Sequence, residues 1–182
     1  IGRLVLCVLG GKTMDFKLMP LNEKELPIFV PAMKDSFNQV ARVQDSSLED
    51  VLPTEDIYAS LTCDNAHGFK AVVDHEIVGG AIVQIDDQTH HNHLDFLYVD
   101  TAHQNKGIGY KIWTALEQKY PQTVLWETCT PYFDKRNIHF YINRCGFAAV
   151  EFYNQSHPDP NFEIQDSNNE MFRFEKRITL DD

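Results

Sequence analysis

Basic residues are scarce in this chain: 16 lysines and arginines stand against 27 aspartates and glutamates, a formal charge of −11 over 182 residues. Binding to a phosphate backbone needs clustered Lys and Arg, so the charge argues against a nucleic-acid partner. The surplus of carboxylates suits a cationic substrate better than an anionic one. Cysteine is thin as well. Cys7, Cys63, Cys129 and Cys145 show no C-x-x-C spacing, which argues against a disulfide framework or a zinc site and makes a cytoplasmic, reducing location the expectation. Cys129 and Cys145 lie in apolar contexts and read as small core residues. No run approaches the roughly 18–20 continuous apolar residues of a membrane span, so no membrane partner is expected. Two nucleotide signatures are incomplete. Gly11-Lys12-Thr13 ends like a phosphate loop, but the glycine it needs at position 6 is Leu6; Gly107 and Gly109 would need a third glycine where Ile112 stands.

What is present is an ordinary globular composition, 43% apolar and 24% charged, long enough for one domain with a full core. Residues 1–13 read as a vector-derived or non-native leader ahead of a start at Met14, with a single domain over 14–182. Asp15 to Leu21 alternates like a first strand. Asn22 and Glu25 form a capping box before a helix whose apolar face carries Phe29, Met33, Phe37, Val40 and Ala41. Pro27 and Pro31 are expected to disturb its early turns. Residues 43–60 are an acidic loop with room for a short helix. Phe69 to Val73 and Ile77 to Ile85 form a hairpin through Asp74-His75, with Gly79-Gly80 marking a bulge or a close backbone approach. His93 to Val99 is the next strand. Gly107 to Tyr120 is a helix stopped by Pro121, and Val124 to Cys129 a strand. Asp134 to Cys145 is a helix ended by Gly146. Phe147 to Tyr153 and Met171 to Ile178 are the last strands, joined by a long polar loop at 154–168. This order implies a mixed α/β sheet with helices packed against it.

The chemistry is concentrated in one strand-turn-helix stretch. Leu94 to Val99 leads through Asp100-Thr101-Ala102-His103 into Gln104-Asn105-Lys106-Gly107-Ile108-Gly109. Gly107 and Gly109 let backbone N–H groups approach a ligand, at the helix end where a pyrophosphate is favoured. Lys106 adds a positive charge at the rim. This stretch resembles the coenzyme A signature of the GNAT N-acetyltransferase superfamily. Asn137-Ile138-His139-Phe140-Tyr141, followed by Gly146-Phe147, is similar to the second signature of that family, and Ile77-Val78-Gly79-Gly80 to a third element of its pattern. The resemblance covers residues 15–178.

It implies a GNAT-like acyl-CoA N-acyltransferase fold with a mostly antiparallel twisted sheet. It also implies acetyl-CoA as co-substrate, no metal, and a small-molecule or peptide amine as acceptor. Homodimers are common in the family. By position, the backbone of Leu97, Tyr98 and Val99 would meet the pantetheine arm, Gln104, Asn105, Lys106, Gly107, Ile108 and Gly109 the pyrophosphate, and Asn137 the sulfur end. The amine must lose a proton and the departing thiolate must gain one. Tyr141 is the candidate acid; Glu127 and Asp95 are the candidate bases. A backbone N–H of Tyr98 or Val99 is the expected oxyanion donor. The interval F-Y-I-N-R-C-G-F is one residue longer than the usual one, so counting back from Gly146 would put Ile142 at the acid position. That departure keeps open an alternative, a non-catalytic coenzyme A-binding regulatory module. His90, His91 and His93 are taken as a polar turn, and Trp113 and Trp126 as core or interface aromatics.

Overall fold

The structure, a computed structural model, describes residues 14–44, 46–48, 50–160 and 170–179. The expected leader at 1–13 and most of the 154–168 loop lie outside the described residues.

Strands β1 (Phe16–Pro20), β2 (Ala66–Val73), β3 (Glu76–Gln84), β4 (His91–Val99), β5 (Leu125–Pro131), β6 (Ala148–Tyr153) and β7 (Met171–Arg177) form one seven-stranded sheet. Their spatial order is β1-β2-β3-β4-β5-β7-β6. Every neighbouring pair is antiparallel except β4 and β5. The β2–β3 turn is the Asp74-His75 pair, at φ 49° and 75°, the double left-handed geometry that matches strand twist in a two-residue hairpin.

Helices α1 (Leu26–Gln44) and α2 (Thr54–Leu61) cover one face of the sheet, and α3 (Ile108–Lys119) and α4 (Lys135–His139) the other. The expected capping box is present ahead of α1, where the Glu25 carboxylate accepts the Asn22 N–H at 3.0 Å. The expected disturbance by proline does not break α1, which runs through both residues. Pro27 falls in the first turn, where an N–H has no intrahelical acceptor in any case. Pro31 forfeits one interior bond, and the burial of Phe29, Val30 and Met33 outweighs it. These three pack with Ile57, Ile82 and Tyr98. On the other face Trp113 and Trp126 meet edge-to-face at 5.3 Å, both fully buried, so they are core residues.

Gly79 and Gly80 make a close backbone approach, and a bulge adjoins them. A Cβ on Gly80 would lie 2.2 Å from the Phe69 carbonyl oxygen, and one on Gly79 2.4 Å from that of Tyr98. Ala71 pairs with Gly79 but Val72 with Ile77, so Val78 is the extra residue. A second bulge lies in β4: Ile82 pairs with Phe96 and Val83 with Leu94, leaving Asp95 as the extra residue.

The feature that positions the site is the β4–β5 pair. These parallel strands are joined only at His91–Leu125, Asn92–Trp126 and His93–Glu127. Just past the last pair the Thr128 hydroxyl donates to the Leu94 carbonyl at 2.8 Å. Beyond that the two strands separate.

Candidate active site

A cleft of about 560 Å³ opens beside the end of β4 that β5 leaves unpaired. Its walls are β4 from Leu97 to Val99, the start of α3, α4 with Phe140, and Ser36, Phe37 and Val40 of α1. Backbone alternation decides what β4 offers. The Val99 carbonyl accepts from Ser36 Oγ at 2.9 Å and from Gln104 Nε2 at 3.1 Å, so it faces away from β3. The Tyr98 carbonyl faces Gly79 on β3. Residues two apart share a side, so Leu97 and Val99 present their polar backbone to the cleft. The Tyr98 ring leaves it for the α1 core, where it meets Phe29 at 5.3 Å.

The turn before α3 has the shape of an anion cradle. Asn105 and Gly107 take left-handed φ values of 61° and 75°. Such a turn points successive N–H groups inward, at the positive end of a helix. Of the cradle residues proposed from sequence, Gln104, Asn105, Gly107, Ile108 and Gly109 line the cleft. Lys106 turns aside, with its ammonium 3.3 Å from the Ala102 carbonyl. Arg136 and Arg144 add cationic groups to the lining, and Arg136 hydrogen-bonds the Gln104 side-chain oxygen. The donor set fits a phosphorylated ligand although the chain as a whole is strongly acidic.

Asn137 lines the same cleft from α4, its backbone N–H capped by the Asp134 carboxylate at 2.9 Å. Helix α4 continues as a π turn over Phe140–Cys145 and ends at Gly146, φ 80°. A π turn closes on the fifth residue rather than the fourth, so the added residue in F-Y-I-N-R-C-G-F is taken up there. Tyr141 follows Asn137 by four positions and points inward, 4% exposed, with Ile142 outward at 38%. The Tyr141 ring packs on Phe147 and Phe174, with Thr128 as its polar neighbour. Burial foremost, then the Cys145 beside it, push its phenol well above the usual range. It lies in the core below the cleft, outside its lining residues.

The two candidate bases stand apart. Glu127 is held by Arg173 at 2.7 Å, and the same guanidinium holds Glu151 and Glu175. Asp95 bonds His93 Nδ1 through Oδ1 at 2.6 Å, and Gln84 Nε2 at 2.6 Å and Ser60 Oγ through Oδ2. Burial resists ionisation of Asp95, but His93, Ser60 and Gln84 outweigh it and hold the carboxyl below its usual range. Two readings from sequence are corrected here. His93 lies in β4, as its strand pattern implied, and bonds a partly buried carboxylate; it is not part of a polar turn. Cys129 faces His93 rather than the core: it is partly exposed, beside His93 and opposite Arg173 in the β5–β7 register. Cys145 is buried as expected.

Ser36, Arg136 and Arg144 were not singled out by sequence reasoning, and His93 was noted there only as a strand residue in a polar histidine cluster. Ser36 left one signal, as a hydroxyl three residues after Met33 on the apolar face of α1. Arg136 and Arg144 left none, because their partners come from distant elements.

The sequence profile described as the Acetyltransferase (GNAT) family matches residues 34–147. An uncharacterised protein of Bacillus subtilis, YrkN, is 43% identical over 141 residues, 76% of each chain. Among solved structures, the ribosomal-protein-S18-alanine N-acetyltransferase of Escherichia coli superposes with a TM-score of 0.65 at 14% identity, over 92% of this chain and 96% of that one. A Bacillus subtilis acetyltransferase in complex with CoA gives 0.61 at 15% identity, over 92% and 100%. The spermidine N-acetyltransferase of Vibrio cholerae, in complex with CoA and spermine, gives 0.63 at 15% identity, over 89% and 95%. The structural likenesses carry the fold and the profile carries the lineage: the chain belongs to the GNAT acetyltransferase family.

Proposed function

We propose that the chain is an N-acetyltransferase that moves the acetyl group of acetyl-CoA directly to a primary amine of a small molecule or peptide. The observation that supports this most is the separation of β4 from β5 directly beside the left-handed turn that opens α3. The gap offers Leu97 and Val99 as strand-like partners for an amide-bearing arm, and the turn offers N–H groups for its pyrophosphate. Two solved relatives of this fold carry CoA in their complexes, which supports the same reading.

The chemistry then needs two proton movements. Tyr141 is the proposed donor to the departing sulfur. Its raised phenol keeps its proton at neutral pH, and the π turn leaves it four residues from Asn137. Of the carboxylates, Glu127 is paired with Arg173, and Asp95 is bonded to His93, Gln84 and Ser60. The burial of Tyr141 outside the cleft lining favours one competing reading, a coenzyme A-binding regulatory module that does not turn over.

Thermal denaturation with acetyl-CoA, CoA, ATP and NAD in parallel tests the cofactor. At a hundred times its dissociation constant a ligand adds about 2.7 kcal/mol, so both coenzyme A species should raise Tm by several degrees. A shift with ATP or NAD alone would refute the assignment. Thiol release with a panel of amines, including spermine and an alanine-initiated peptide, separates enzyme from module: the module binds and never turns over.

A further inference from the structure

The reading as an N-acetyltransferase leaves open which group deprotonates the acceptor, and the inference that follows rests on that reading. We propose that His93, held in place by Asp95, takes the proton from the acceptor amine. His93 is the last β4 residue paired with β5 before the strands part. It lies on the sheet face opposite the Trp126 core, and 40% of its side chain is open to solvent. The acceptor amine would reach the strand gap along that face, since His93 stands outside the residues that line the coenzyme cleft.

The carboxylates beside it are already engaged. Both oxygens of Asp95 are used, one by His93 and the other by Gln84 and Ser60. Glu127 is bound to Arg173. Asp95 is therefore a positioning residue. Two positions along the same strand, it shares a sheet face with the ring. Gln84 from β3 and Ser60 from α2 then fix the carboxylate. In the neutral ring, with Nδ1–H donated to Asp95, the lone pair sits on Nε2. This is a base oriented by a third group.

The charged and titratable groups on this side of the ring are Asp95 on its own strand, Glu127 and Cys129 on β5, and Arg173 of β7, which pairs with Glu127. The elements packed from α2 and β3 supply only neutral Ser60 and Gln84. Burial alone would lower the imidazole pKa, but the hydrogen bond and charge of Asp95, with Cys129 as a second hydrogen-bond partner, carry it to about 9. In the step, Nε2 accepts a proton from the ammonium. The freed amine nitrogen attacks the thioester carbon, the C–S bond breaks, and the sulfur leaves with the proton from Tyr141. The nitrogen of the new amide sheds its second proton, which returns through solvent to Tyr141, and the proton on His93 passes to solvent.

The test is turnover against pH for wild type, His93→Gln and Asp95→Asn, with acetyl-CoA and saturating spermine or alanine-initiated peptide. Cofactor binding is followed in parallel by thermal shift. Wild-type kcat should climb about tenfold per pH unit and level off near pH 9. His93→Gln should lose about 10²–10³-fold in kcat, lose that limb, and still bind coenzyme A. Asp95→Asn should keep a limb but move it to lower pH, a displacement that a merely structural role would not produce. Added imidazole should partly restore a His93→Ala variant. If His93→Gln matches wild type in rate and profile, His93 is not the base and the transferase reading stands. If wild type binds coenzyme A yet acetylates no amine of a broad panel, the transferase reading fails and the role of His93 fails with it.

Discussion

A methyl group on Gly109 would lie 3.5 Å from the Phe140 ring, an ordinary contact, whereas Gly107 needs its freedom for a φ of +75°. The two glycines therefore do different work. Gly109→Ala should keep its stability within about 1 kcal/mol of wild type and weaken coenzyme A binding, read by calorimetry, because the added carbon lines the cleft. Unchanged affinity would move the pyrophosphate away from this turn. Tyr141→Phe should cut turnover by about 10²–10⁴ with cofactor affinity preserved; a wild-type rate would pass the acid role to water. The cradle could be read from the sequence because Gln104 to Gly109 are contiguous. His93 could not, since its meaning depends on Ser60, 33 residues upstream, and on Gln84 and Cys129. A single buried hydroxyl or carboxylate carries no periodic signal. Only the fold brings them into one cluster.

Three departures of the elements from regularity bear on the site. Bulges at Val78 and Asp95 break strand register, and the π turn breaks helical register. The sequence foretold the first through Gly79-Gly80 and the third through an interval one residue too long. The bulge at Asp95 left no mark, because Leu94-Asp95-Phe96 is compatible with an unbroken strand. Gly80→Ala should destabilise the chain by at least roughly 1–3 kcal/mol in denaturant unfolding, since the Phe69 carbonyl it would strike is backbone and cannot swing away. Deleting exposed Asn143 should convert the π turn to an α turn and leave cofactor binding intact, because Asn137 and Tyr141 precede it. Loss of binding on that deletion would show that the extra residue holds the cleft wall in place.

At the scale of the whole molecule, an acidic protein concentrates Arg136 and Arg144 at one cleft. The acidic loops contribute less free charge than their sequences suggest. Asp50 is paired with Lys34 at 2.6 Å, and Glu55 and Asp56 sit in the first turn of α2, where the helix dipole favours them. Asp45, Glu49, Glu163 and Asp166 lie outside the described residues. Global stability should carry the imprint of His93. Its folded pKa of about 9 lies above an unfolded value of about 6.5. The stabilisation from its pairing is thus complete below about pH 6.5 and is lost as pH rises through 9. Denaturant unfolding should show wild type losing stability over that window and His93→Gln losing less. The effect is modest, because the ring is partly open to solvent screening.

The sheet holds its halves together through three parallel residue pairs between β4 and β5. Mechanically it is two smaller sheets, one of four strands and one of three, hinged at His91–His93. An arm carrying amides that lies along Leu97 and Val99 would act as the missing rungs of the ladder and convert the hinge into a continuous plate. Slow amide exchange at positions 97 and 99 would then depend on the ligand rather than on the fold alone, and the substrate would count among the protein's own structural members.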